Sequence, residues 1–290
     1  MAPAGLGDEG ENANIAHPRL PRPLGRPSVA AQMFLLTKWY LDLVTDQGTA
    51  LIVYAASLEW ASLRAAFAST LCAEPAGEPV ERRAWSRVRM PMIDGTTVRF
   101  AHAGLHLSGE WRRGAASLAA TMVDGPRGRL DWRCFTPNGQ ATVSIDERTI
   151  TGRGYVECLS MSCPPWSLPL RSLRWGRYTS DSHSAVWIDW DGGALRRWVW
   201  FDGIEQEHAA VGADGISALG NGVAMRIAPV RTLGDRRALR VLSAELPALD
   251  RVPIGSFKNL RETKRLARGE LWHDGVQVER GWVIDEVVRW

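Results

Sequence analysis

Turn signals cut this sequence into short apolar runs, and that punctuation restricts the fold more than any other feature. Asp46-Gln47-Gly48, Asp94-Gly95, Pro137-Asn138-Gly139, Asp191-Gly192-Gly193, Asp202-Gly203, Asp214-Gly215 and Asp274-Gly275 separate stretches rich in Val, Ile, Trp and Tyr. Glycine accepts the positive φ that tight hairpins need, so Asp-Gly between alternating apolar runs marks antiparallel strands. Many such turns at short spacing predict an all-β sandwich or barrel rather than βαβ units. One stretch reads differently. In EWASLRAAFASTLC, Glu59 to Cys72, the residues Trp60, Leu63, Ala66, Phe67 and Leu71 recur at helical spacing, although an irregular strand plus loop also fits. No Gly-rich loop joins a strand to a helix as nucleotide sites require, and there is no Walker-type run.

The 290 residues are 45% hydrophobic and balance 35 Lys and Arg against 32 Asp and Glu, a formal net charge of +3. Such a balance gives no electrostatic case for nucleic acid. Residues 1–31 are rich in Pro, Gly and Ala and carry acidic residues where a signal peptide needs a basic start. They read as a flexible tail, with Pro18 to Pro27 as a candidate extended arm. The most apolar run, Leu51 to Ala56, is cut off by Glu59 and Arg64, so no transmembrane segment is expected and a cytoplasmic location is. Cys72, Cys134, Cys158 and Cys163 fit neither a disulfide framework nor a zinc pattern and are expected as reduced thiols. The chain divides most naturally near Thr151, into β lobes at 32–150 and 151–290. GRGYVE opens the second lobe, and ERGWVIDEVVRW echoes it at the end.

Fourteen Trp outnumber Phe and Tyr combined, which stand at 6 and 4, and point to rigid β cores or apolar binding surfaces. Residues 152–191 carry the densest signal. Taken as a strand, Tyr155, Glu157, Leu159 and Met161 share one face, so an inward Glu157 would sit in an apolar setting. Desolvation there would raise its pKa and keep a proton donor available at neutral pH. The plainer reading has Glu157 facing solvent or paired with Arg174 or Arg177. In SHSAVWIDW, Ser184, Val186, Ile188 and Trp190 form an ordinary core face. The opposite face combines His183, Ala185, Trp187 and Asp189 and could line a pocket floored by Trp187, or form only a sheet rim. Cys163-Pro164-Pro165-Trp166 and Pro169 make a rigid loop able to set Trp166 over a cavity mouth.

Other groupings carry less. His102 and His106 could share a face as metal ligands do, but with no third ligand nearby they read as surface histidines, and no metal site is expected. Ser160, Ser162 and Cys158 lack a nucleophile elbow. Arg196 to Phe201 interleaves basic and aromatic residues, yet its acidic neighbours make it a strand with one Trp face. Lys258 to Arg268 reads as a solvated helix or turn, which a lipid-handling protein could use to dock on a membrane.

A resemblance rests on these same residues. Gly152-x-Gly154-Tyr155-x-Glu157, then Arg174-Trp175-Gly176-Arg177 with Ser180-Asp181, then Val186 to Trp190, resemble the AttH and carotenoid 1,2-hydratase superfamily of lipocalin-like proteins. KWYLDLVTDQGTALIVYAASLEW is similar to the start of that family's first domain, and the terminal WVIDEVVRW resembles its closing strand. The resemblance implies two tandem lipocalin-like β domains around an apolar cavity. It also implies hydration or cyclisation of polyenes without a bound cofactor. The family strand reads G-Y-H-D-H-N-W-G. Here Tyr155 matches, Glu157 replaces the Asp, and the flanking His, Asn and Trp are missing.

These observations together predict a two-lobed all-β protein that performs acid–base chemistry on an apolar, isoprenoid-like or polyene-like small molecule. The reaction expected is hydration, dehydration, isomerisation or cyclisation. Glu157 is the candidate proton donor and Tyr155 its partner, with Asp189 and His183 as second choices for the base. Trp166, Trp175, Tyr178 and Trp187 are the candidate substrate enclosure. The rival readings are a lipocalin-like carrier without chemistry and a Trp-rich carbohydrate-binding module. An inward Glu157 separates the enzyme from the carrier, and a flat exposed row of Trp would mark the sugar binder.

Overall fold

The computed structural model describes residues 34–61, 63–85, 87–237 and 260–289, so the tail expected at 1–31 and the residues Lys258 and Asn259 lie outside it. Six of the seven turn signals separate consecutive strands, as at Asp202-Gly203 and Asp274-Gly275, where both residues take positive φ. The seventh, Pro137-Asn138-Gly139, lies within a strand beside a break in register, which accommodates a residue without a backbone N–H. Asp146-Glu147 makes an equally tight turn with no glycine, at φ 47 and 66.

The first sheet contains β1 (Phe34–Val44), β2 (Ala50–Trp60), β3 (Leu63–Ala73), β4 (Val80–Ala84) and β5 (Met92–Asp94). It continues with β6 (Thr97–His102), β7 (Leu107–Arg113), β8 (Leu118–Gly125), β9 (Gly128–Ile145) and β10 (Arg148–Met161). Its order is β4-β3-β2-β1-β10-β9-β7-β6-β5, with β8 also on β9. The second sheet contains β11 (Ser172–Thr179), β12 (Ser184–Gly192), β13 (Ala194–Phe201), β14 (Ile204–Glu205) and β15 (Ala210–Val211). β16 (Gly215–Ser217), β17 (Val223–Arg237), β18 (Arg261–His273) and β19 (Val276–Arg289) complete it, in the order β14-β13-β12-β11-β19-β18-β17-β16-β15. Every pairing described is antiparallel. Among the described residues the helical turns are two short 3-10 segments, at Ala103–Leu105 and Pro165–Ser167.

Three expectations are corrected. Glu59 to Cys72 is not helical: Trp60 pairs with Leu63 across a tight turn, and Phe67 and Leu71 extend along β3. Sheet pairing on both sides of β2 overrides the local period. From Arg261 on, the basic run is strand rather than a solvated helix or turn. Lys264 and Leu266 are buried in β18, between β17 and β19. His102 is buried rather than on the surface, whereas His106 is exposed. The chain passes from the first sheet to the second at 162–171. The division expected between 150 and 151 falls inside β10, which pairs with β1 and β9.

Strand alternation sorts the core into three clusters. Trp39, Leu41, Leu51, Val98, Phe100 and Trp111 pack inside the curl of the first sheet, and Tyr178, Trp187, Val199, Ile216 and Leu271 inside the second. The third cluster lies between the sheets. Tyr40, Trp132 and Tyr155 of the first meet Trp175, Trp190, Trp200 and Ile284 of the second. Asp42 of β1 and Arg177 of β11 join the sheets through a fully buried ion pair at 2.5 Å, and Arg177 Nη1 also donates to Thr179 Oγ1 at 2.8 Å. Gly176, between Trp175 and Arg177, faces the other way, where a Cβ would lie 2.1 Å from the ring of Trp187 in the second sheet's own core.

Candidate active site

The register of β1, β10 and β9 builds one face of the space between the sheets. Glu157 stands opposite Tyr40 on one side and Cys134 on the other. Leu159 stands opposite Lys38 and Trp132. Exposure grades along this face. Asp42 and Tyr155 are fully buried, Glu157, Lys38 and Leu159 are half-buried, and the residues near its end, Leu36, Leu58 and Trp60, are half-buried apolar groups. Trp166 closes that end, with its ring 5.1 Å from Trp60 and 5.9 Å from Phe34. The half-buried, largely apolar end of this face is the candidate cleft, and Glu157 stands at its inner side, next to the buried Asp42.

Three donors converge on Oε2 of Glu157: Trp132 Nε1 at 2.5 Å, Tyr155 Oη at 2.7 Å and Trp175 Nε1 at 3.0 Å. Trp132 comes from β9, Tyr155 from β10 itself and Trp175 from the second sheet, so the carboxyl is positioned by both sheets. Aromatic packing fixes the donors in turn. Trp132 stacks on Trp200 at 5.0 Å, and Trp175 meets Tyr40 at 4.9 Å and Tyr155 at 5.6 Å. No arginine reaches Glu157 among the described ion pairs; Arg177 serves Asp42, and Arg174 donates to the Gly212 carbonyl. Loss of hydrating water pushes the Glu157 carboxyl up to about 7, against the opposing pull of its hydrogen bonds and of the Lys38 charge. A group balanced near 7 can both give and take a proton at neutral pH.

The structure brings Glu157, Tyr155 and Trp175 together and sets Trp166 at the cleft's end. It does not bring the other expected residues there. Trp187 and Tyr178 lie fully buried within the second sheet's own core. Asp189 pairs with Arg197 at 2.8 Å, and His183 Nδ1 contacts Asp202 at 2.6 Å. The two faces of β12 divide as alternation predicts, but their roles are exchanged. Val186, Ile188 and Trp190 face the inter-sheet cluster. Trp190 also lines a cavity of about 310 Å³, together with Val123, Cys163, Leu168 and Arg196. Glu157 is not among that cavity's walls.

Trp132 and Lys38 were not legible as site residues. Each stands more than 20 positions from Glu157 in sequence, and only the register of β9 and β1 shows them to be neighbours. Beside Tyr155 of β10 itself, the donors to the carboxyl come from β9 and β11. Among the described residues there is no cluster of three His, Cys, Asp or Glu that could hold a metal ion, and no helix is long and apolar enough to cross a membrane.

No family model matches the chain, and no curated protein sequence does. Solved structures do match. An AttH-like protein from Nitrosomonas europaea superposes with a TM-score of 0.54 at 11% identity, over 93% of this chain and 99% of that one. Kievitone hydratase from Nectria haematococca gives 0.53 at 9% identity, over 88% of each chain. CghA, solved with Sch210972, gives 0.53 at 11% identity, again over 88% of each. At these identities the likeness is one of fold, and this chain has the lipocalin-like fold of the AttH-like proteins.

Proposed function

We propose that this protein is an acid–base enzyme of the hydratase type, acting on an apolar, unsaturated small molecule held in the cleft between the sheets. The observation that carries the reading is Glu157, a carboxyl beside a half-buried apolar face between the sheets, held by three neutral donors and balanced near neutral pH. One structural neighbour, kievitone hydratase, supports it by analogy of fold.

In the proposed step the π electrons of a carbon–carbon double bond take the proton of Glu157. One carbon gains a C–H bond, the neighbouring carbon becomes cationic, and Glu157 is left as a carboxylate. The hydrogen bonds from Trp132, Tyr155 and Trp175 favour that anionic form, so they stabilise the charge as it develops. Indole and phenol faces around the carboxyl attract the cationic carbon. Water then adds to the cation, and its spare proton returns to Glu157. The net change is addition of water, and the reverse sequence is dehydration. Loss of a neighbouring proton to Glu157 would give isomerisation, and attack by a second double bond would give cyclisation.

The test begins with the lipophilic molecule that copurifies with the full chain, extracted and identified by mass spectrometry. That molecule and its unsaturated or hydrated analogues are then incubated with the enzyme in deuterated water. The reading expects deuterium on a product carbon, and loss of turnover by at least a hundredfold in Glu157→Gln. Unchanged turnover in that variant contradicts Glu157 as the donor. Tight binding with no conversion of any analogue would leave a carrier. The sugar-binding alternative has no support among the described residues, where no Trp is exposed.

A further inference from the structure

Lysine is scarce in this chain, standing only at 38, 258 and 264, while arginine supplies nearly all the positive charge. The two described lysines lie on opposite sides of the space between the sheets and are treated differently. Lys264 is buried and held by Glu262 at 3.0 Å and by Glu286. Its charge is spent within the protein. Lys38 is half-buried in β1, on the face that carries Glu157. Its Nζ lies 4.8 Å above the ring of Tyr54, and among the described residues no carboxylate comes within ion-pair reach of it. The ammonium of this half-buried side chain has three donors and no direct ion-pair partner among the described residues, so it can take a further acceptor. Leu36, Leu58 and Leu159 share its face, and the carboxylates of Glu157 and Glu262 act on it only from beyond ion-pair distance.

The position is as informative as the missing partner. Lys38 faces Leu159, and Glu157 faces Tyr40, so Lys38 and Glu157 are diagonal neighbours on adjacent strands. Diagonal pairs of this kind stand roughly 7–8 Å apart. That spans a few bonds of a small molecule: one end can meet Lys38 while a carbon a short way along meets Glu157. Lysine acts here as a compact point charge, suited to a single oxyanion rather than to a planar two-point contact.

Building on the proposed function, we propose that the ligand of the cleft is an apolar molecule ending in a carboxylate or comparably acidic oxygen. Lys38 is the group that binds that oxygen and so sets which carbon lies against Glu157. Lys38 is thus a specificity-determining residue. Its absence would cost binding of the acidic ligand and leave the affinity of the cleft for an uncharged chain intact.

The experiment compares dodecanoate, dodecan-1-ol and dodecyltrimethylammonium as probes of the full chain at pH 8, with affinities read by calorimetry. Dodecanoate is expected to bind at least tenfold more tightly than the alcohol, and the cation more weakly than either. In Lys38→Met the acid and the alcohol should come within twofold of each other, with the alcohol's affinity unchanged, which also shows that the variant is folded. Lys38→Arg should restore most of the preference. Equal binding of acid and alcohol by the unaltered protein overturns the proposal. So does a preference that survives Lys38→Met, or a loss of both ligands alike. If the alcohol binds and the acid is no better, the anchor fails while the apolar cleft stands. If neither binds, the cleft reading fails with it.

Discussion

Glu157 is surrounded by donors that favour its charged form, yet it stays protonated up to about 7 because burial outweighs them. Each donor is therefore a lever with a known sign. Trp132→Phe or Trp175→Phe removes one hydrogen bond to the carboxylate and keeps an aromatic ring in place. Either change should move the midpoint of the Glu157 titration upward, with turnover by the acid form persisting to higher pH. The groups facing the carboxyl are Tyr155, Trp132, Trp175, Cys134 and Lys38, so Lys38→Met should shift it the same way. A pH–rate profile of each variant reads the shift, and a downward move would contradict the balance of forces described. Glu157 and Tyr155 were legible because strand alternation alone puts them on one face. Whether that face turned inward depended on β1, whose pairing the sequence does not state.

At the scale of elements, β10 and β11 form the joint of the molecule. β10 belongs to the first sheet and carries Glu157; β11 belongs to the second and contributes Trp175 to the carboxyl and Arg177 to Asp42. The turn chemistry made the hairpins legible, but it could not show which hairpins share a sheet. Nor could it show that the helix-like spacing of Glu59 to Cys72 would yield to pairing between β2 and β3. The two faces of β12 were separable by alternation, yet both are lined with large apolar groups. Nothing in the pattern told Trp187, inside the second sheet, from Trp190, between the sheets. The Asp42–Arg177 pair is fully buried on both sides, and its carboxyl is raised by burial against the pull of Arg177. Removing one partner of such a pair leaves an uncompensated charge, so Arg177→Met should cost about 3–5 kcal/mol in urea unfolding. Asp42→Asn combined with Arg177→Met should recover part of that loss. A cost under 1 kcal/mol for the single change would show that the pair does not hold the sheets together.

At the scale of the whole molecule, one apolar cluster is made from both sheets, and the proposed site lies within it. Trp132 stacked on Trp200 and Tyr40 packed on Trp175 are contacts that neither sheet can make alone. Urea unfolding should therefore show a single transition by fluorescence and by circular dichroism, and two separated transitions would contradict a shared core. The linkage to pH has a defined sign. Glu157 is raised from 4.5 to about 7 in the folded state. The folded protein holds that proton more tightly than the unfolded chain does, so the contribution of Glu157 to stability falls as pH rises from about 4.5 through about 7. Glu157→Gln should lack that part of the decline.

Both the proposed chemistry and the linkage depend on the protonation state of one carboxyl. Carboxyl carbon NMR of the protein labelled at glutamate, with Glu157→Gln to assign the resonance, measures it without any substrate. The expected titration has its midpoint near 7, and a midpoint near 4.5 would show an ordinary carboxylate and contradict Glu157 as a proton donor at neutral pH.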